Sequence, residues 1–143
     1  MKSIYLVLLS LFIFTSATFA VPSVINYAGQ VAVNGEAFTG NGFFKFAIVS
    51  DSGTTTYWSN DGTSSAGSAP TSSVSVSVNG GLYSILLGNS AIQGMNAIDP
   101  SVFQQHCDAM LRVWFDDGTN GSQLLSPDRP FASVPYALSA AAA

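Results

Sequence analysis

The chain has 143 residues with only 8% charged side chains, four Lys and Arg against eight Asp and Glu, and a formal net charge of -4. That balance would repel a phosphate backbone, so nucleic-acid binding is disfavoured. The single cysteine, Cys107, excludes an internal disulfide and leaves stability to packing alone.

Residues 1–20 have the layout of a secretory signal. Lys2 supplies the positive start, Ile4–Phe14 the apolar middle and Thr15–Ala20 a small-residue exit, with Thr18-Phe19-Ala20 as the cleavage site. The apolar run falls short of the roughly 20 residues a membrane span needs. The expectation is an exported chain starting at Val21, with no membrane span after signal removal, folding as one domain over residues 21–138 with an Ala-rich tail at 139–143.

Val24–Val31 is predicted as the first strand, Asn34-Gly35 as a turn and Glu36–Phe38 as a short return. Gly40-Asn41-Gly42 is predicted as a break before the apolar strand Gly42–Val49, in which Phe44, Phe46 and Ile48 form the buried face and Lys45 marks the wet one. Asp51-Ser52-Gly53 turns the chain into a partner strand, Thr54–Ser59. Asn60–Ser72 has little to bury and is expected to be a mobile surface loop suited to contact with another molecule.

Ser73–Leu87 carries the clearest pattern. Val74, Val76 and Val78 alternate with serines, Asn79-Gly80 favours a tight turn, and Leu82–Leu87 alternates again. A two-residue hairpin there would pair Val78 with Gly81, Val76 with Tyr83 and Val74 with Ile85, and a one-residue slip would oppose Ser84 to Val76. Gly88–Asp99 is irregular, and Asp99-Pro100 starts a short helix over Pro100–His106. Ala109–Phe115 is the next strand with Leu111, Val113 and Phe115 inward; Asp116–Gly121 turns, Gln123–Leu125 pairs back, Ser126–Arg129 breaks around Pro127, and Phe131–Tyr136 is extended. Short strands between turn signals imply an all-β fold, an antiparallel β-sandwich with Greek-key-like connections and one short helix.

Chemistry is sparse. His106-Cys107-Asp108 is the one reactive-looking cluster, but adjacent side chains diverge and cannot converge on one substrate atom. Cys107 is expected to be buried at the start of the apolar Met110–Phe115 segment. Zinc wants three or four ligands, and the chain has one Cys and one His. Asp116, Asp117 and Asn120 are a calcium candidate, although their Asp-Gly and Asn-Gly spacing is also that of an ordinary turn. Lys45 could cross-link to an asparagine, but a lysine that breaks up an apolar strand is the commoner case. Asn120-Gly121-Ser122 fits a glycosylation acceptor. No catalytic residue, cofactor or bound metal is assigned. Tyr27, Tyr57, Trp58, Tyr83 and Trp114 could stack on sugar, and Trp58, Asn60 and Asp61 are the candidate binding residues, against packing in the core as the bland reading.

Several phrases resemble a module that recurs at the start of large exported bacterial proteins. Ile25–Val31 (INYAGQV) is similar to its opening strand, and Tyr57–Gly62 (YWSNDG), Gly81–Gly88 (GLYSILLG) and Leu111–Phe115 (LRVWF) to its inner segments. Leu124–Pro127 (LLSP) and Ser133–Leu138 (SVPYAL) resemble its closing signature. The resemblance implies the N-terminal β-sandwich of a fibre- or tail-fibre-like surface protein, whose closing motif leads into a stalk; here Ser139–Ala143 would be a tail or a stalk's first turn. Together with the secretory layout, the lack of a catalytic constellation and the β pattern, it leads to the expectation of a non-enzymatic assembly domain, secreted or at the cell surface, with other protein subunits as partners. The alternative is an adhesin-like module for carbohydrate or protein, using exposed aromatics and the loop at 60–72.

Overall fold

The computed structural model describes residues 24–131. The signal at 1–20, the chain beyond Phe131, including Ser133–Leu138, and the tail at 139–143 lie outside the described residues. Nine strands and one helix follow in order: β1 (Ile25–Gln30), β2 (Ala32–Val33), β3 (Glu36–Ala37), β4 (Gly40–Val49), β5 (Thr56–Ser59), β6 (Val74–Val78), β7 (Leu82–Leu87), α1 (Ser101–Gln105), β8 (Met110–Asp116) and β9 (Gln123–Pro130). The fold is all-β and antiparallel. No helix among the described residues is long and apolar enough to cross a membrane.

The centre is β4. Phe44, Phe46 and Ile48 alternate onto one face and are fully buried, as their spacing predicts. Each such side chain contributes about 1.5–3 kcal/mol when removed from water. On one edge β4 pairs with β8 along Phe43–Val49; on the other it takes β6 against Gly40–Phe44 and β5 against Ala47–Val49. β9 extends this sheet beyond β8. The second layer is the pair β1–β7, aligned from Ile25 opposite Leu87 to Gln30 opposite Leu82. It packs over β4 through aromatic contacts, Tyr83 on Phe44 at 4.3 Å between ring centroids and Tyr27 on Phe46 at 6.5 Å.

The break expected at Gly40–Gly42 does not occur, because β4 runs straight through it. Gly42 is required by crowding: a Cβ there would lie 2.6 Å from the Phe44 ring and 2.8 Å from the Phe115 ring. Glycine lets both rings close under the strand.

The hairpin expected at Asn79-Gly80 forms differently. The turn residues are Gly80 and Gly81, with φ of 58° and 81°, the positive pair that a type I′ turn requires. Asn79 and Leu82 exchange two backbone hydrogen bonds of 3.0 Å. Past that one bridge the strands part, β6 to β4 and β7 to β1. Alternation settles which face of a strand is buried, and the valines of β6 with Tyr83, Ile85 and Leu87 all turn inward. It does not settle which strand lies alongside. The turn thus carries the chain from one layer to the other. It is seated on the small β2–β3 ribbon by Val31 N–H to Gly81 O at 2.8 Å and Gly81 N–H to Phe38 O at 2.7 Å.

Ser126–Arg129 does not end the last strand. Leu125 pairs with Val113 and Arg129 with Leu111, so three residues bulge opposite Arg112. Pro127, with no N–H to pair, sits in the bulge. The bulge delivers Asp128 to Arg112, whose Nε and Nη2 donate to the two carboxylate oxygens at 2.9 and 2.7 Å. Arg112 Nη1 also donates to Gly53 O and Gly67 O, at 3.2 and 3.0 Å. One guanidinium therefore ties two loops and an edge strand to β8.

Gly42→Ala should lower the unfolding free energy by about 1–3 kcal/mol through overpacking. Denaturant titration checks this, and an unchanged midpoint would show that the two rings move aside freely.

Candidate functional site

Of the residues singled out for binding, Trp58 and Asn60 lie inside and Asp61 is half-buried. Trp58 is buried and its Nε1–H donates to Ala97 O at 3.0 Å. Asn60 is completely buried. It sits where β4 has lost its neighbour, between the stretch paired with β6 and the stretch paired with β5. There it serves both backbone groups of Phe46: Asn60 N–H donates to Phe46 O at 3.0 Å, and Phe46 N–H donates to Asn60 Oδ1 at 2.9 Å. Asn60 Nδ2 donates onward to Ser72 O and Gly94 O, each at 3.0 Å. Asp61 accepts from the N–H and hydroxyl of Thr63 and from Ser72 N–H.

These bonds correct the expectation of a loose contact loop. Asn60–Ser72 is stitched to itself and to the sheet, and Gly67 and Pro70 within it are buried. Neither Trp58 nor Asn60 offers a surface to a sugar. The five aromatics do not share a face either: Trp58, Tyr27 and Tyr83 pack with the core, Trp114 lies on the opposite side of β8 beside Ala47 and Val49, and Tyr57 stacks on His106 at 3.6 Å.

In the loop after β8, Asp116 accepts from Gly118 N–H, and Asp117 accepts from the N–H groups of Thr119 and Asn120 and from Asn120 Nδ2. The candidate calcium carboxylates thus spend their acceptors on the turn itself, as Asp in a tight turn does. Those bonds hold the Asp117 carboxyl below its ordinary range. Among the described residues no three His, Cys, Asp or Glu side chains gather as metal ligands. Cys107 is exposed, against the expectation of burial. The chain leaves α1 through His106, whose ring covers Tyr57, while the Tyr57 hydroxyl donates to Asp108; the thiol between them is left outside. Lys45 is half-buried, opposite Trp114 on the outer face.

The feature that sequence reasoning missed is a cleft between the layers. Among the described residues β1 pairs only with β7 and β9 only with β8, leaving two strand edges that face each other across an opening of about 490 Å³. Tyr27 and Gly29 of β1 form one wall, Leu125 and Arg129 of β9 the other, and Leu111, Val113 and Tyr83 the floor. The two strands run antiparallel across it. Tyr27 touches Phe46, whose row continues through Val113 to Leu125, while Gly29 lies by Tyr83, which touches Phe44 in the row of Phe115 and Gln123.

The walls are incompletely covered. Tyr27 and Leu125 are half-buried although their side chains point into the sandwich. The opposite seam, between β6 and β7, is different: every inward side chain there is buried, down to Val76 at 9% and Ile85 at 6% exposure. Among the described residues the sandwich is thus shut on one side and ajar on the other. The cleft's lining is more polar than apolar and includes Gln30, Ser126, Arg129 and the two tyrosines. Burial raises the Tyr83 hydroxyl well above its ordinary range, nearby Tyr27 adds to this and Arg129 pulls against it, so Tyr83 is a neutral donor at physiological pH. Gly29 is needed here because a Cβ would lie 2.6 Å from the Tyr83 hydroxyl oxygen. Two strand edges with no partner among the described residues, above buried Leu111 and Val113, suit an extended polypeptide.

Asn60→Ala should cost about 3 kcal/mol or more, since it strands buried partners including Phe46 N–H; a loss below about 1 kcal/mol in denaturant titration would contradict the bridging role. Asp61 gives an acid signature. Burial by itself would raise its carboxyl, but the Ser72 and Thr63 donors outweigh it and the value is lowered from 3.8. A lowered folded value means that the stabilisation is complete above the ordinary value and is lost as pH falls through the folded one. Asp61→Asn should therefore flatten the decline of stability below about pH 4, read by thermal melts across that range.

Residues 26–128, from β1 to the bulge in β9, match the family described as Domain of unknown function (DUF8740). No curated protein and no solved structure matches the chain. The match covers most of the chain and nearly all of the fold just described, and the chain belongs to this family of unknown function.

Proposed function

We propose that this chain is an exported, non-enzymatic structural domain that assembles with other protein subunits at a surface or in a fibre-like array. The observation that carries the reading is the seam where β1 and β9 present edges with no partner among the described residues, above half-buried Tyr27 and Leu125. An edge of this kind gains main-chain hydrogen bonds and buries apolar surface when another strand is added. The secretory layout of residues 1–20 and the fibre-protein resemblance of the sequence agree with it. The low charge and the acidic balance also suit a partner that is neutral polypeptide rather than nucleic acid.

Light scattering on the full chain expressed for export, over a wide concentration range, tests the proposal. Concentration-dependent association is expected, and Leu125→Asp should raise the concentration needed for it by about tenfold or more, equivalent to about 1.4 kcal/mol, with the circular dichroism spectrum retained. A strict monomer at high concentration would sink the assembly reading.

A further inference from the structure

We infer that the cleft between β1 and β9 receives residues 133–138 of a second copy of this chain, added as an extended strand. The inference rests on the assembly reading above and names its partner. In that segment Val134, Tyr136 and Leu138 alternate with Ser133, Pro135 and Ala137, the period of two that gives a strand one apolar face. Three apolar side chains at alternate positions span about 13 Å along a strand. The wall offered by Tyr27–Gln30 is four residues long, of similar reach. Residues 132–139 carry no charged side chain, so the segment brings no ion of its own into the cleft, whose one charged side chain is Arg129 of the wall. Pro135 forgoes one ladder bond and leaves the N–H groups of its neighbours to pair.

A second copy is the occupant because the chain's own return is obstructed. β9 ends at Pro130, and the next residue, Phe131, is held against Phe103 at 5.1 Å between ring centroids. To fold back beside β9, the chain would have to reverse immediately through Ala132-Ser133. A tight strand reversal needs positive φ, for which Gly, Asn or Asp is the usual choice, and neither residue is one of these. A neighbouring molecule's segment meets no such constraint.

Directed cross-linking in the full chain tests this, with Cys107→Ser removing the exposed native thiol. One preparation carries Leu125→Cys in the cleft wall and a second carries Tyr136→Cys; they are mixed, oxidised mildly and read by non-reducing electrophoresis and mass spectrometry. The mixed disulfide is expected as the main product, at about tenfold or more over the same mixture with Leu86→Cys, which is exposed on the outer face of β7 away from the cleft. Ala137→Cys in place of Tyr136→Cys should reduce it similarly, and excess synthetic peptide of residues 131–139 should compete it away. Association in light scattering without the mixed disulfide would overturn this inference and leave the assembly reading standing. Monomers throughout would overturn both. An intramolecular bond as the main product in a chain carrying both cysteines would overturn the choice of a second copy.

Discussion

Phe44, Phe46 and Ile48 of β4 are completely dry, and no single sheet can achieve that. A strand with an aromatic row needs a second layer above it, and β1–β7 supplies one through Tyr27 and Tyr83. Every other feature follows from fitting two unequal layers together. Among the described residues five strands lie below and two above, so one flank of the lower sheet has no counterpart overhead among them. That imbalance produces the cleft, and the bulge in β9 places Arg129 on its wall.

The type I′ turn at Gly80-Gly81 is the joint between the layers. A hairpin whose strands stayed paired would build one sheet. Here the strands separate after the Asn79–Leu82 bridge, so the same short reversal becomes a crossing. Its seat on Val31 and Phe38 fixes where the upper layer starts, while Arg112 fastens the opposite end of the molecule through Asp128, Gly53 and Gly67. The two ends are held by different means, backbone bonding at one and a charged fork at the other. Between them the core is aliphatic and aromatic.

Much of this was legible in the residue pattern, and what was not has identifiable causes. The buried faces of β4, β6, β7 and β8 were readable because alternation by two reports side-chain direction. Asn34-Gly35 was readable as a turn because both residues take positive φ, 52° and 80°. Strand partners were hidden, since β1–β7 and β4–β8 join segments distant in sequence. Gly42 resembled a break because its purpose, room for two rings, exists only in the packed state. Asn60 resembled an exposed contact for a related reason: a polar side chain that replaces a strand neighbour looks, in sequence, like one that faces water. Met95 and Ile98 are buried within a segment with no periodicity to announce them. The cleft depends on two strand edges that no local pattern relates.

Asn60 also bears on how this fold can vary. Its amide joins the carbonyls of Ser72 and Gly94 while its own backbone and Oδ1 complete the bonding of Phe46. The excursion from Asp61 to Ser72 therefore begins and ends on a single residue that already belongs to the sheet. Gly67 and Pro70 in its middle are buried and Gly67 is held by Arg112 and Thr56, so only the exposed stretches between these anchors can drift in length while the ladder of β4 stays in register.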